Sequence, residues 1–493
     1  MARKINHVIL AFFSGLLLSV SFPGLNVSLA AYLSFVPLFF ALKNLTKREA
    51  FFVSYLAGFT FFLITMFWMR YVSILGGLLL ISILSVFFGL FGLYFLYAIR
   101  YTLYAIFLVP AFWATLEYAR SNLFTGFGWA LLGHSQYLNL SFIQISDITG
   151  AYGVSFFVMA VNVIIYILIE MDIKKSGQAF IIFLILVSCV AGYGFFKLNA
   201  HESPKGSIKI SLIQGNIPQY MKWDPDMRDH IWSRYSVLTE MAAKDRPDLI
   251  IWPETSLPGY MEDEDLFKEV AAIARRTRSA ILIGAPSYRE EDDSIYNAAF
   301  LIDSNGDIVE RYDKLHLVPF GEYIPFDKQI GFIRKFVNKP IGEFEKGKEH
   351  TVFELEETAR FSVLICFEDI FADLVRRFAN RDVDFLVNIT NDAWFMKTPA
   401  PYQHAQSSVF RAVENRLPVV RAANTGLSCF IDRTGRIFDS VNIGGNEICI
   451  TGFKTARVDI MEGGSLYTKI GDIFVFLCAL AAAVAIIGAK KKL

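Results

Sequence analysis

The sequence predicts a protein with two kinds of structure, eight transmembrane α-helices and one α/β domain. Of its 493 residues, 54% are hydrophobic, which exceeds the usual proportion in soluble domains. Apolar runs long enough to cross a bilayer fill the first part of the chain, and one more lies near its end. Between them, short apolar runs alternate with amphipathic stretches, a pattern typical of α/β domains. We therefore expect a membrane domain over 1–204, an α/β domain over 205–460, and a last transmembrane helix with a basic tail over 461–493.

Seven apolar runs before residue 205 are each long enough to cross the hydrocarbon core, which needs about 17–25 residues. They cover approximately 5–22, 25–42, 50–69, 72–99, 101–119, 148–170 and 179–197. The first run, which ends near the small residues SVS, also fits a cleavable signal sequence. We interpret it as a retained helix because the next run follows almost at once. GDIFVFLCALAAAVAIIGA, just before Lys490, is the eighth run.

Basic residues in the short connections predict the orientation, because Lys and Arg near helix ends resist translocation. One side of the membrane has only Arg70 and Arg120. The other side has most of the basic residues: Arg3, Lys4, Lys43, Lys47, Arg48, Arg100, Lys174, Lys175 and the terminal lysines. Both ends of the chain are therefore expected in the cytoplasm, and the α/β domain on the opposite side.

Charge and cysteine usage argue against several classes of partner. The formal net charge is zero and the basic residues form no long stripe, so we expect no nucleic-acid partner. The five cysteines are scattered, and no C-x-x-C or H-E-x-x-H spacing occurs. We therefore expect no disulfide framework, no metal site and no cofactor.

Strand-like runs in the α/β domain are short and rich in β-branched residues. They are IKISLIQGNI, DLIIWPET, AILIGAPSY, YNAAFLI, RFSVLICFED, DFLVNIT and VVRAANTG. DLFKEVAAIARRTRS and ADLVRRFANR read as helices between them, and the turn sequences DSNGDI and DRTGRI predict hairpins.

Two polar motifs follow predicted strands, where α/β folds usually place their chemistry. In IIWPETSLPG, an apolar strand ends at a proline and delivers Glu254; taken alone, this residue is also compatible with a solvated loop acid. RYDKLHLVPFGEYIP contains Lys314 in otherwise apolar surroundings, where an ordinary surface lysine is the alternative. His316, in the same motif, is interpreted as structural.

The third motif, VLICFEDIF, ends a strand at Cys366 just before a predicted helix. The positive end of that helix is expected to lower the pKa of the thiol. Alternatively, a carboxylate base takes the thiol proton, and a lysine stabilises the oxyanion that forms when sulfur attacks a carbonyl. Glu254, Lys314 and Cys366 supply these three groups, although an isolated cysteine of this kind is also compatible with an inert core thiol.

The order of these motifs resembles the Glu, Lys, Cys pattern of the nitrilase superfamily. With seven preceding spans and one following span, the chain resembles the apolipoprotein N-acyltransferase family over essentially its whole length. QGNIPQYMKWDP and GFGWALLGHSQYLN also resemble segments of that family. The resemblance implies a nitrilase-like αββα sandwich in a bacterial cytoplasmic (inner) membrane protein that crosses the membrane several times, with its catalytic domain on the periplasmic or outer side.

The resemblance also implies residue roles and substrates. Glu254 would be the general base, Lys314 the oxyanion stabiliser and Cys366 the nucleophile. The further matching positions are Trp223, Glu322, Phe367 and Glu368. Phe367 stands where the family often has tyrosine, and GFGW departs from a proline-containing form of that loop. The implied partners are a phospholipid acyl donor and a diacylated apolipoprotein, whose N-terminal α-amino group would accept the acyl chain from a cysteine thioester.

Two other functions remain open at this stage. A membrane-tethered nitrilase-like amidase would use the same three residues and let water hydrolyse the acyl-enzyme. A transporter or structural membrane protein would leave the three motifs without a catalytic role. The products formed from labelled phospholipid distinguish the three functions.

Overall fold

The computed structural model of the chain describes residues 2–200, 203–291, 293–324, 344–355, 358–461 and 463–490. The chain divides into two compact units. The first unit comprises Met1–His201, Thr398–Glu414 and Ser465–Leu493. The second comprises Glu202–Lys397 and Asn415–Gly464. A segment from inside the range 205–460 therefore packs with the first unit.

The first unit is helical. Its α-helices are Ala2–Val20, Val36–Ala41, Lys47–Thr65, Ile74–Ala98, Ala105–Asn122, Leu140–Ile143, Ser146–Thr149, Ala151–Glu170, Ile173–Asn199, Leu466–Ile470, Ile473–Lys490 and, except for its last residue, Ala400–Asn415. Within the described part of the chain, four helical stretches are long and apolar enough to cross a membrane. They are Lys47–Thr65, Ile74–Asn122, Ala151–Glu170 and Ile173–Asn199.

The predicted number of eight spans is not confirmed by these stretches. The apolar run 25–42 is not one helix: it forms a 3-10 turn, Ser28–Tyr32, and a short helix, Val36–Ala41. The runs 72–99 and 101–119 lie in one helical stretch, interrupted at Thr102, whose φ is +52° and ψ −106°. Hydropathy measures the preference of a run for lipid, whereas these breaks depend on local backbone geometry.

Two six-stranded sheets form the second unit, counted over its described residues. Their strands are β1 (Gly206–Gln214), β2 (Leu249–Ile251), β3 (Ala280–Arg289), β4 (Ser294–Ile302), β5 (Ile308–Asp313), β6 (Phe353–Leu355), β7 (Ala359–Ile365), β8 (Phe385–Thr390), β9 (Val419–Ala423), β10 (Cys429–Ile431), β11 (Ile437–Ser440) and β12 (Gly452–Ile460). The strand orders are β12-β1-β2-β3-β4-β5 and β11-β10-β9-β8-β7-β6. Strands β1, β2 and β3 are parallel, as are β7, β8 and β9. The predicted α/β domain is confirmed.

Helices cover the sheets on their outer sides. Arg228–Ala243 and Glu264–Thr277 share a buried apolar core with the first sheet, and Ala372–Ala379 packs against β7 of the second sheet. The sheets contact each other through β1 with β9 and β4 with β7. This arrangement explains why the central strands read as continuous apolar runs, since both faces of each strand are buried.

The two predicted hairpins are confirmed. Asp303 accepts hydrogen bonds from the backbone of the turn between β4 and β5, and Gly306 has a φ of +84° there. Asp432 and Gly435 form the corresponding turn between β10 and β11, again with a glycine φ of +84°. A side-chain oxygen and a residue that tolerates positive φ are what such tight turns require.

Candidate active site

Glu254 lies just beyond the carboxyl end of β2, where Pro253 stops regular pairing. Its side chain is buried, and both carboxylate oxygens accept hydrogen bonds. Oε1 accepts from Asn297 Nδ2 at 2.8 Å, and Oε2 accepts from the backbone N–H of Asn391 at 2.9 Å. The chain approaches Gly284 closely here, because a Cβ on that residue would lie 2.6 Å from Pro253 O. These contacts hold Glu254 between β4 and the end of β8.

Lys314 follows β5 and is completely buried. Its Nζ donates to Glu322 Oε1 at 2.9 Å and to Glu254 Oε1 at 3.3 Å. Burial by itself lowers the pKa of Lys314, but the carboxylates of Glu322 and Glu254 outweigh it, so the pKa is raised. Lys314 is therefore a permanently charged ammonium group next to Glu254.

Cys366 follows β7 as the first residue of a 3-10 turn, Cys366–Ile370. Its φ is +57°, an uncommon conformation for any residue other than glycine. Asn388 holds this bend, because its Nδ2 donates to Cys366 O at 2.8 Å. Strained backbone of this kind is frequent at functional sites, where surrounding contacts maintain it.

The electrostatic surroundings of Cys366 favour the neutral thiol. Burial raises its pKa well above the ordinary value, and the Glu254 carboxylate raises it further. Lys314 acts in the opposite direction, Asp392 raises the pKa, and the Thr390 hydroxyl lowers it. The prediction that the pKa of this thiol is lowered is wrong, because burial is the largest influence and raises it; the helix that was expected to lower it begins only at Ala372. A base is consequently needed to form the thiolate.

Known families match both parts of the chain. The model of the carbon-nitrogen hydrolase family matches residues 209–459, and that of the apolipoprotein N-acyltransferase N-terminal domain matches residues 14–164. The apolipoprotein N-acyltransferase of Geobacter metallireducens is 36% identical over 496 residues, which cover 97% of this chain and 94% of that protein. The chain belongs to the apolipoprotein N-acyltransferase family.

Other similar proteins include a second apolipoprotein N-acyltransferase, from Chlorobaculum tepidum. It is 29% identical over 517 residues, covering 97% of this chain and 96% of that protein. Among solved structures, Saccharomyces cerevisiae Nit3, a member of branch 10 of the nitrilase superfamily, is 18% identical with a TM-score of 0.39. That match covers 53% of this chain and 93% of Nit3.

In this apolipoprotein N-acyltransferase family member, Glu322 contacts Lys314 and shares hydrogen-bond donors with Glu254. Its Oε1 accepts from Lys314 Nζ and, at 2.8 Å, from Asn297 Nδ2, while its Oε2 accepts from the backbone N–H of Val318 at 2.7 Å. Glu322 and Glu254 thus share Asn297 and Lys314 as donors. The Lys314 ammonium group therefore lies between the two carboxylates.

Glu368 is fully buried and ties two strand ends together. It accepts backbone hydrogen bonds from Leu315 at 2.8 Å, His316 at 2.9 Å and Ile365 at 2.7 Å, and both its oxygens accept from Tyr312 Oη. Burial raises the pKa of Glu368 to about 7 despite these donors. The residue therefore connects the segment that carries Lys314 to the end of the strand that delivers Cys366.

The two aromatic positions of the predicted site differ. The Phe367 ring is half-buried, with Lys314 Nζ 5.6 Å from its centroid. Trp223 is 43% exposed, and no hydrogen bond or ring contact recorded for the described residues joins it to Glu254, Lys314 or Cys366. The structure therefore brings Phe367 to the central residues but leaves Trp223 at the surface.

Several site residues were not predicted from the sequence. Asn297 and Asn391 bind the Glu254 carboxylate, and two buried ion pairs connect Arg421 to Asp369 and Asp392. The charged Arg421 within the apolar strand VVRAA was an available signal for such a pair. Among the residues that the structure describes, no cluster of three His, Cys, Asp or Glu side chains is arranged to hold a metal ion.

Proposed function

We propose that this protein N-acylates lipoproteins, transferring an acyl chain from a phospholipid to the N-terminal α-amino group of a diacylglyceryl-cysteine. The observation that carries this proposal is the contact of Glu254 with Lys314, whose Nζ also lies 5.6 Å from the ring centroid of Phe367, the residue after Cys366. A carboxylate base, an ammonium group and a thiol are the three groups that acyl transfer through a thioester requires. Family membership supplies the substrates.

In the first half-reaction, Glu254 accepts the Cys366 proton as the sulfur attacks the ester carbonyl carbon of the phospholipid. The developing oxyanion is stabilised by the Lys314 ammonium group. The carbon–oxygen ester bond then breaks, and the leaving oxygen takes the proton from Glu254. Lysophospholipid leaves, and the acyl group remains on sulfur as a thioester.

In the second half-reaction, the acceptor amine attacks the thioester carbonyl, and Glu254 takes a proton from the amine. The carbon–sulfur bond breaks, and Cys366 regains its proton. The raised pKa of the thiol supports a base in the first step, because little thiolate exists before substrate binds. The raised pKa of Cys366 also favours return of a proton to the thiolate at the end of the cycle.

Glu322, Glu368, Phe367 and Trp223 are proposed as supporting or substrate-binding residues. Glu322 and Glu368 hold the loop that carries Lys314, whereas Phe367 and the exposed Trp223 offer apolar surface. Further exposed apolar side chains of the same unit are Phe320, Trp394 and Met396. We expect apolar and aromatic residues of PFGEYIPF (319–326) and NDAWF (391–395) to line the mouth of the site. Pro325 and Phe326 of the first segment lie outside the described residues. Such an apolar mouth suits substrates whose acyl chains stay in the bilayer.

We further propose eight membrane crossings in a bacterial cytoplasmic membrane, with the catalytic domain over 205–460 on the periplasmic side and membrane segments over 1–204 and 461–493. The 49-residue stretch Ile74–Asn122 is interrupted at Thr102 and contains two helices, Ile74–Ala98 and Ala105–Asn122. They are about 38 and 27 Å long, so each is close to the core thickness of about 30 Å and we count two crossings. With the other three long stretches and the three shorter apolar segments, this gives eight. A periplasm-dependent reporter fused near residue 300 should be active, and activity only in the cytoplasm would contradict this topology.

Product analysis tests the function. Purified protein is supplied with acyl-labelled phospholipid and a diacylated lipopeptide, and all products are identified by mass spectrometry. The proposal predicts labelled, N-acylated lipopeptide and lysophospholipid. Labelled free acid as the main product would instead indicate the amidase alternative, and no product would contradict both.

A further inference from the structure

A second buried lysine lies beside Glu254. Lys222 directly precedes Trp223, but its side chain is only 7% exposed. Its Nζ donates three hydrogen bonds, to Glu254 O at 3.1 Å, Thr255 O at 3.0 Å and Thr255 Oγ1 at 3.0 Å. Each acceptor is a neutral oxygen, so the burial of this cation is not compensated by a direct ion pair in those contacts. A buried charge of this kind costs stability and calls for a functional explanation.

The three hydrogen bonds hold the bend that carries Glu254. Thr255 has a φ of +47°, which is strained for a β-branched residue. Lys222 contacts both the backbone and the side chain of Thr255 and the backbone of Glu254, so its three N–H groups match the three acceptors around the bend. A methionine of similar length would fill the space but leave two backbone carbonyls without this donor.

The same ammonium group adds positive charge to the site. Its charged form is favoured electrostatically by Glu254 and by Cys366. The charged and titratable groups that face the thiol in turn include Glu254, Lys314 and Asp392. Burial nevertheless lowers the pKa of Lys222 to about 7. Its charge is therefore present below neutral pH and is lost above it.

We propose that Lys222 is a positioning residue of the acyl-transfer site: its three hydrogen bonds hold the bend that carries Glu254, and its ammonium group supplies positive charge beside that bend. This inference rests on the proposed role of Cys366 as the nucleophile. Lys222 acts through Glu254 and Cys366 and is not proposed to contact substrate.

The test measures alkylation of Cys366 by iodoacetamide from pH 5.5 to 9 in the full-length protein, resolved by peptide mass spectrometry. The thiolate displaces iodide, so the rate reports thiol ionisation. Below pH 7, Lys222→Met should react about tenfold more slowly than the wild type, because loss of a nearby opposite charge shifts a pKa by about one unit or more. Above pH 8 the difference between the two rates should become smaller, because Lys222 is then neutral in the wild type as well and only the loss of its hydrogen bonds to the Glu254 bend remains.

Two further variants separate charge from structure. Lys222→Arg keeps a charge and should stay within about threefold of the wild type below pH 7, where the expected tenfold loss in Lys222→Met is measured. Lys244→Met, which removes an exposed lysine, is the matched control and should leave the rate unchanged. If Lys222→Met does not fold, Lys222→Gln takes its place with the same expectation.

Equal rates for Lys222→Met and the wild type would overturn the proposal. A slowing that is the same at every pH would also overturn it, because it would indicate a purely structural role. Alkylation requires neither phospholipid nor lipopeptide. A failure of the proposed acyl transfer would appear in the product analysis instead, so the two failures are distinguishable.

Discussion

The two buried lysines beside Glu254 have the same side chain and opposite electrostatic environments. Lys314 lies between the carboxylates of Glu254 and Glu322, and its pKa is raised. Lys222 binds backbone carbonyls and a hydroxyl, and burial lowers its pKa to about 7. Burial lowers the pKa of both lysines, but the acidic groups around Lys314 outweigh this effect, whereas Glu254 and Cys366 offset it only in part for Lys222. One site therefore contains a permanent cation and a cation that titrates near neutral pH.

The largest expected effect comes from removing the sulfur on which both lysines are proposed to act. Cys366→Ala should reduce N-acylation of lipopeptide to the level measured without enzyme, because no other thiol is proposed to carry the acyl group. Cys449→Ala, a partly exposed cysteine outside the site, is the control and should retain activity. Turnover by Cys366→Ala above that level would show that the Cys366 sulfur, on which both lysines are proposed to act, is not the reacting atom.

Glu254→Gln is expected to have the next largest effect, a loss of about a hundredfold or more in the single-turnover rate of thioester formation. The substitution removes the base and the ion pair with Lys314 but leaves the backbone carbonyl that Lys222 binds. It therefore breaks one lysine contact and preserves the other. A rate within threefold of the wild type would indicate that Glu254 is not the base.

Lys314→Met should slow the same half-reaction by about a hundredfold, because the oxyanion loses its neighbouring charge. This loss should persist across neutral pH, whereas the effect of Lys222→Met should fade as pH rises. Lys244→Met again serves as the control. Equal pH dependence for the two buried-lysine variants would remove the proposed distinction between them.

The smallest expected effect concerns the packing behind Lys314. Tyr312→Phe removes the hydroxyl that donates to Glu368, which should lower the free energy of unfolding by about 1 kcal/mol. Thioester formation should change by less than about tenfold, since the ion pairs of Lys314 remain. Thermal unfolding and single-turnover rates measure the two quantities. Unchanged stability would show that Glu368 does not depend on this donor.

The central motifs were predictable from the sequence because each is local. A polar residue that follows an apolar strand identified Glu254, Lys314 and Cys366 without knowledge of strand order. Asn297 and Asn391 were not predictable, because their contacts with Glu254 depend on how β4 and the end of β8 align with β2. Single-sequence patterns contain no information about that alignment.

Burial of individual charged residues was also beyond the sequence. Lys222 stands in the polar segment QYMKWDP, where nothing in the sequence indicates a buried lysine. In the structure Lys222 is 7% exposed, whereas its neighbour Trp223 is 43% exposed. In the first unit, hydropathy indicated the apolar runs but missed the break of the 25–42 run at Leu33–Phe35, between its 3-10 turn and its short helix.

The most direct test of the central claim is intact-protein mass spectrometry after incubation with phospholipid alone. Without an acceptor amine, the first half-reaction can proceed and the second cannot. We predict a mass increase of one acyl group on Cys366 that hydroxylamine removes and that Cys366→Ala does not show. An adduct that survives hydroxylamine, or that persists in Cys366→Ala, would contradict the assignment of Cys366 as the nucleophile.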